Sequence, residues 1–131
     1  LRFESAEANK VLIQTPENLF ELRKNGPQWS LEKPEKIKIE HMGNDLVWAL
    51  KGLEFSSKII PALPTNLSGL DAPKFTLRLF KNHEKEIATL KVGKSFDSEQ
   101  EYLVETGNLQ YRVKNKSLDS IPLSLDKFKL K

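Results

Sequence analysis

The chain of 131 residues has no cysteine, 38% hydrophobic and 30% charged side chains, and 21 Lys and Arg against 18 Asp and Glu. Such a chain forms one domain whose core can stand without metals or disulfides, and the missing thiols exclude a disulfide scaffold, a thiolate metal site and a cysteine nucleophile. The net charge of +3 is spread thinly, without the dense basic stripe of a protein that neutralises several phosphates.

The apolar patch Ile59 to Leu63 is interrupted by Pro61, so no segment reads as a bilayer span or a signal sequence. The chain begins at Leu1 rather than Met. We therefore expect a processed fragment, preceded by a targeting or anchoring segment.

Residues 1–9 read as a polar entry segment or short helix. Val11, Leu12 and Ile13 form a short apolar run, closed by the turn cluster Thr15-Pro16-Glu17-Asn18. Leu19 to Lys24, punctuated by Asn25-Gly26-Pro27, and Gln28 to Glu32 complete a hairpin or three-stranded meander over residues 10–34. Trp29 and Leu31, two residues apart, share a face and are expected in the core.

Across residues 39–53 the period lengthens, and Ile39, Met42, Leu46, Leu50 and Leu53 fall on one helical stripe. Its securest part is Asp45 to Lys51, with Asn44 as a candidate N-cap and Gly52 as the stop. Trp48, beside the stripe, is expected on the edge of a sheet. Leu53 to Ile60 alternates loosely as a strand until Pro61 and Pro64 end it.

Asn66 to Pro73 is a connector. Phe75 to Lys81 and Glu86 to Val92 alternate as a β-hairpin, a polar loop spans Gly93 to Glu99, and Glu101 to Glu105 and Leu109 to Lys114 flank the turn Thr106-Gly107-Asn108. Four antiparallel strands in series follow. Lys116 to Leu125 is interrupted by Pro122 and allows only short helical turns, and Lys127 to Lys131 is expected as an extended edge piece.

Residues that could converge for chemistry are few. The two histidines, His41 and His83, stand apart, and His83, Glu84 and Glu86 are too close in sequence to aim three ligands at one point. Ser68-Gly69 lies in no G-x-S-x-G elbow, the glycines are isolated, and Asp97 with Glu99 reads as a solvated loop. Asn66-Leu67-Ser68 and Asn115-Lys116-Ser117 match the glycosylation acceptor pattern. Phe80, Tyr102 and Tyr111, with Arg78 and Arg112, raise the alternative of a stacking platform for single-stranded nucleic acid, against cross-strand packing.

The order of phrases resembles the bacterial envelope family catalogued as domain of unknown function 4340. Trp29, Leu31 and Pro34 match its W-x-L-x-x-P phrase, and Leu46 to Ile60 its helix and short strand. Ser68-Gly69-Leu70-Asp71-Ala72-Pro73 matches its Y-G-L-x-x-P connector with serine for tyrosine. Leu90, Val92 and Gly93 match its L-x-[IV]-G phrase, and Tyr102 its Tyr-led strand. Leu109 to Val113 matches its V-Y-x-V strand, with Tyr111 in place and Gln110 where the first valine would stand.

Gly69 and Gly93 would then sit at strand entrances and exits, and Pro73 would open a strand. The resemblance implies an extracytoplasmic domain, periplasmic or at the cell surface, that commonly follows an N-terminal membrane helix. Some relatives are encoded beside gliding-type or ABC-exporter components.

The expectation is a single α+β domain, mainly antiparallel sheet: an N-terminal hairpin or meander, one short amphipathic helix, a four-stranded meander over residues 74–131 and a short C-terminal helical turn. It is expected to be non-enzymatic and to lack catalytic, metal and cofactor residues and a small-molecule substrate. It is expected to act through an envelope or transporter protein partner while tethered to a membrane. A module for a polyanion or single-stranded nucleic acid is the alternative, with nucleic acid the less favoured partner.

Overall fold

The computed structural model describes residues 7–40, 42–119 and 121–129. Nine strands form one antiparallel sheet: β1 (Lys10–Gln14), β2 (Leu19–Asn25), β3 (Gln28–Lys33), β4 (Ile37–Glu40), β5 (Ser57–Lys58), β6 (Phe75–Lys81), β7 (Lys85–Phe96), β8 (Glu101–Thr106) and β9 (Leu109–Lys114). Their spatial order is β4-β3-β2-β1-β6-β7-β8-β9-β5. Two meanders, each of consecutive neighbours, are thus fused where β1 pairs with β6. Among the described residues there are three α-helices: α1 (Met42–Lys51), α2 (Thr65–Ser68) and α3 (Leu125–Lys129). The fold is α+β and dominated by antiparallel sheet, as the alternating hydrophobic pattern predicts.

Alternation decides which face is buried. The register sets Val11 against Leu22 and Leu79, Ile13 against Phe20 and Leu77, Leu22 against Leu31, and Leu77 against Leu90. All eight of these side chains are fully buried, and with Trp29, Val92 and Val104 they make one apolar face. Leu46, Val47 and Leu50 of α1 cover its β2–β4 half, and Leu118, Ile121 and Phe128 of the tail add a second cover, with the Phe20 and Phe128 rings 5.0 Å apart.

α1 settles closely because Gly43 brings its backbone onto the indole of Trp29; a Cβ there would clash with the ring atoms. The indole Nε1–H donates to Asn44 Oδ1 at 2.8 Å. Asn44 is therefore an acceptor for the core tryptophan inside the first turn, and the helix starts before the expected cap.

After α1 the chain reaches the far edge of the sheet, where β5 pairs with β9, and residues 59–73 return as a strap over the opposite face toward β6. Gln110 holds the strap with two side-chain bonds: its Oε1 accepts from Leu63 N–H and its Nε2 donates to Leu63 O, both at 2.8 Å. α2 packs on β7, and Leu70 and the fully buried Leu103 meet beside Gly93.

Several expectations are corrected. Ile39 lies in β4, not on the helix; its spacing to Met42 coincides with helical period, but the backbone from Ile37 pairs with β3. Trp48 is 65% exposed and packs on no sheet edge. Of Leu53 to Ile60 only Ser57–Lys58 is strand. The connector contains α2. β7 continues through Gly93 to Phe96, where a polar loop was expected, because a register shift between Val92 and Ser95 lets it keep pairing with β8. Lys127 lies in α3 rather than in an extended piece, which leaves Phe128 facing the core. The tail also forms a 3₁₀ turn at Asn115–Leu118. No helix among the described residues is long and apolar enough to cross a membrane.

Candidate interaction groove

α1 and the tail do not cover the whole apolar face. At the corner formed by β7, β8 and β9 a groove of about 720 Å³ stays open, with Ala88, Thr106 and Tyr111 along the strands and Leu53 and Phe55, from the segment after α1, as its wall. The rings of Phe55 and Tyr111 stack with centroids 4.3 Å apart and planes 14° apart. Leu109, opposite Thr106 in the register, is 44% exposed. Among the described residues Glu86 is the one charged side chain in the lining, and its carboxylate lies 3.7 Å from Arg78. An open hollow of mixed polar and apolar lining, with a stacked aromatic wall, suits an apolar side chain or turn of another molecule flanked by polar groups.

The residues singled out in the sequence fall in three places. Trp29 and Leu31 are core residues, 1% and 0% exposed, and Pro34 is exposed in the turn after β3. Gly69, Leu70 and Gly93 come together on the strap side of the sheet. Gly69 ends α2 in the left-handed region at φ 79°, and a Cβ there would stand 2.8 Å from the Lys94 backbone nitrogen; one on Gly93 would strike the Ser68 carbonyl oxygen. Gly93 is thus inside β7 and not at a strand exit, and what it permits is contact with the strap. Pro73 precedes the first β6 ladder bond, from Lys74 N–H to Val92 O. Tyr102 and Tyr111 are half-buried on the apolar face, and only Tyr111 reaches the groove.

The residues of the stacking platform do not share a surface. Register places Tyr102 and Tyr111 on the face of Val104 and Val113, whereas Arg112 lies on the opposite face with Leu103. There its guanidinium sits 4.0 Å from the Phe96 ring centroid and pairs with Glu99. Phe80 is opposite Lys10, whose ammonium lies 5.0 Å from its ring.

The strongest electrostatic cluster is also on the strap side. Glu101, 8% exposed at its side chain, lies 2.8 Å from Arg112 Nε and 3.4 Å from Lys114 Nζ. The Arg112 contact is an ion pair lacking the alignment of a hydrogen bond. A hydrogen bond from Ser56, and then Lys114 and Arg112, hold the Glu101 carboxyl below its ordinary value against the opposing effect of burial. Ser56 is next to β5, so this cluster ties the edge of the sheet to β8 and β9.

His41 lies outside the described residues. His83 occupies the β6–β7 turn, its Nε2 3.2 Å from Lys24 O and its backbone N–H donating to Asn9 Oδ1 at 2.9 Å. Among the described residues no three His, Asp or Glu side chains converge in a way that could hold a metal ion. Ser68 of the first glycosylation triplet is fully buried, its hydroxyl bonded to Thr65 O.

Phe55 and Ala88 were not among the sequence candidates for a site. The groove depends on where β1 joins β6 and on how far α1 extends, neither of which is local. The one local signal was Phe55, the single aromatic between Gly52 and Pro61. No protein-family model, curated protein or solved structure matches the chain.

Proposed function

We propose that the chain is a non-enzymatic protein-interaction domain, and that the groove beside Phe55 and Tyr111 receives an apolar segment of its partner. The observation that carries this reading is the corner of the apolar face, beside the stacked Phe55 and Tyr111, that neither α1 nor the tail covers. We further propose an extracytoplasmic setting, with the domain tethered to a membrane as an accessory part of a transport or envelope machinery. This setting is supported only by the order of the sequence phrases that resemble the envelope family.

The interaction is tested by pull-down from detergent-solubilised envelope with the unaltered domain and with Thr106→Arg, whose side chain spans the groove. A protein retained by the first and lost with the second, at unchanged melting temperature, is the expected result; equal retention contradicts the groove. Fractionation of the full-length gene product tests the setting, and recovery in the soluble cytoplasmic fraction would overturn it.

A further inference from the structure

The segment that walls the groove lies at the outer edge of the sheet, where β5 pairs with β9. Both residues of β5, Ser57 and Lys58, are exposed. An edge that buries so little belongs to the low-stability end of a structure. Its backbone is held by Ser56 N–H donating to Arg112 O at 2.7 Å and Ile59 N–H donating to Gln110 O at 2.9 Å. What keeps the Phe55 ring against Tyr111 therefore includes side chains beyond β5.

Alternation brings them together from both faces. Tyr111 and Arg112 are consecutive in β9 and point to opposite faces, and Phe55 and Ser56 meet them in that order. Phe55 stacks on Tyr111 on the groove side, while Ser56 bonds to the Arg112 backbone and donates its hydroxyl to Glu101. On that strap side Arg112 is fixed from three directions: by Glu101 at 2.8 Å, by Glu99 at 3.1 Å and by the Phe96 ring, 4.0 Å from its guanidinium. The charged groups about Glu101 are Arg112 and Lys114 from β9 and Glu99 from the β7–β8 turn. From β7 its register partner is Phe96, whose ring also carries the Lys94 ammonium at 5.2 Å, and Lys58 of β5 is exposed.

We propose that Glu101, Arg112 and Ser56 form a clamp on one face of the sheet edge that holds the groove's aromatic wall on the other, with the charge of Glu101 as its catch. While the carboxylate is ionised, Arg112 and Ser56 are drawn toward β8 and Phe55 stays seated on Tyr111. When it takes up a proton, the ion pairs to Arg112 and Lys114 are lost, Ser56 loses a charged acceptor and the wall comes away from β9. Glu101 and Arg112 are thus positioning residues for the groove. As control of a binding site this rests on the interaction reading, whereas the clamp itself is read out in the free chain.

The test follows the ring resonances of Tyr111 by NMR in the 131-residue chain, with Phe55→Leu marking their unstacked position. On lowering the pH from about 6 to about 3, across the carboxylate range, the Tyr111 ring is expected to move toward that position while the amides of β1 and β2 keep their dispersion. Glu101→Gln should set the ring nearer the unstacked position already at about pH 6 and abolish the movement, and Arg112→Met should do the same. Glu99→Gln, which removes a partner 51% exposed, should leave both as they are. The proposal is overturned if Glu101→Gln leaves Tyr111 unmoved, or if the ring moves only as β1 and β2 also lose dispersion. It is also overturned if the same pH movement persists in Phe55→Leu. Absence of any partner for the groove would sink the interaction reading and leave these shifts as expected, so the two failures are told apart.

Discussion

Gly69 and Gly93 meet backbone to backbone where the strap crosses β7, and neither position has room for a side-chain carbon. A Cβ on Gly69 would stand 2.8 Å from Lys94 N, and one on Gly93 would overlap the carbonyl oxygen of Ser68. Gly93→Ala should force strap and strand apart and cost about 1–3 kcal/mol, as overpacking does. Urea unfolding of the variant checks this. A midpoint equal to that of the unaltered chain would mean that the strap is not seated on β7.

The Gln110 side chain fastens the same strap at its other end, through both backbone groups of Leu63. Gln110→Ala leaves those groups without their partner, at a cost of about 1–3 kcal/mol. Hydrogen exchange should quicken first at Leu63 and across residues 59–73, while the amides of β1 and β2 change little. Uniform acceleration over the whole sheet would contradict a locally fastened strap.

Trp29 and Trp48 report on opposite environments, 1% and 65% exposed. In a Trp48→Phe background the remaining emission comes from Trp29 alone and should be blue-shifted. Adding Asn44→Ala removes the acceptor of the indole N–H and should destabilise the chain by about 1–3 kcal/mol. Denaturant unfolding followed by that emission measures the loss.

Glu101 gives the pH dependence a sign. Its carboxyl titrates lower in the folded chain than its ordinary value of 4.5, so the unfolded chain takes up the proton first as pH falls. The stabilisation is present above pH 4.5 and is lost as pH drops through the folded value. Thermal unfolding should therefore show a steeper fall in melting temperature below pH 4.5 for the unaltered chain than for Glu101→Gln. Parallel profiles would remove Glu101 as a source of acid sensitivity.

The readable part of the fold was the part written in alternation. β1, β6 and β9 follow the expected limits because period two, closed by turn residues, is a local property. β4 was missed because four residues are too few to separate Ile37 and Ile39 from the helical spacing that follows. The extension of β7 was missed because its last residues are polar, and a strand with its bulge at Gly93 is recognised only once β8 is known to lie beside it. The fusion of β1 to β6 joins residues more than sixty apart, and no local pattern encodes it. The groove inherits that difficulty: Tyr111 was visible as a strand aromatic, but its stacking on Phe55 is a product of the long return of the chain after α1.

The most direct test of the interaction reading is photo-crosslinking inside the groove. A photoreactive residue at Ile87, which lines the groove, is compared in living cells with one at Gln28, exposed at the start of β3. The account predicts a discrete protein adduct from position 87, lost when Thr106→Arg is added, and none from position 28. No adduct at position 87, or the same adduct from both positions, would contradict it.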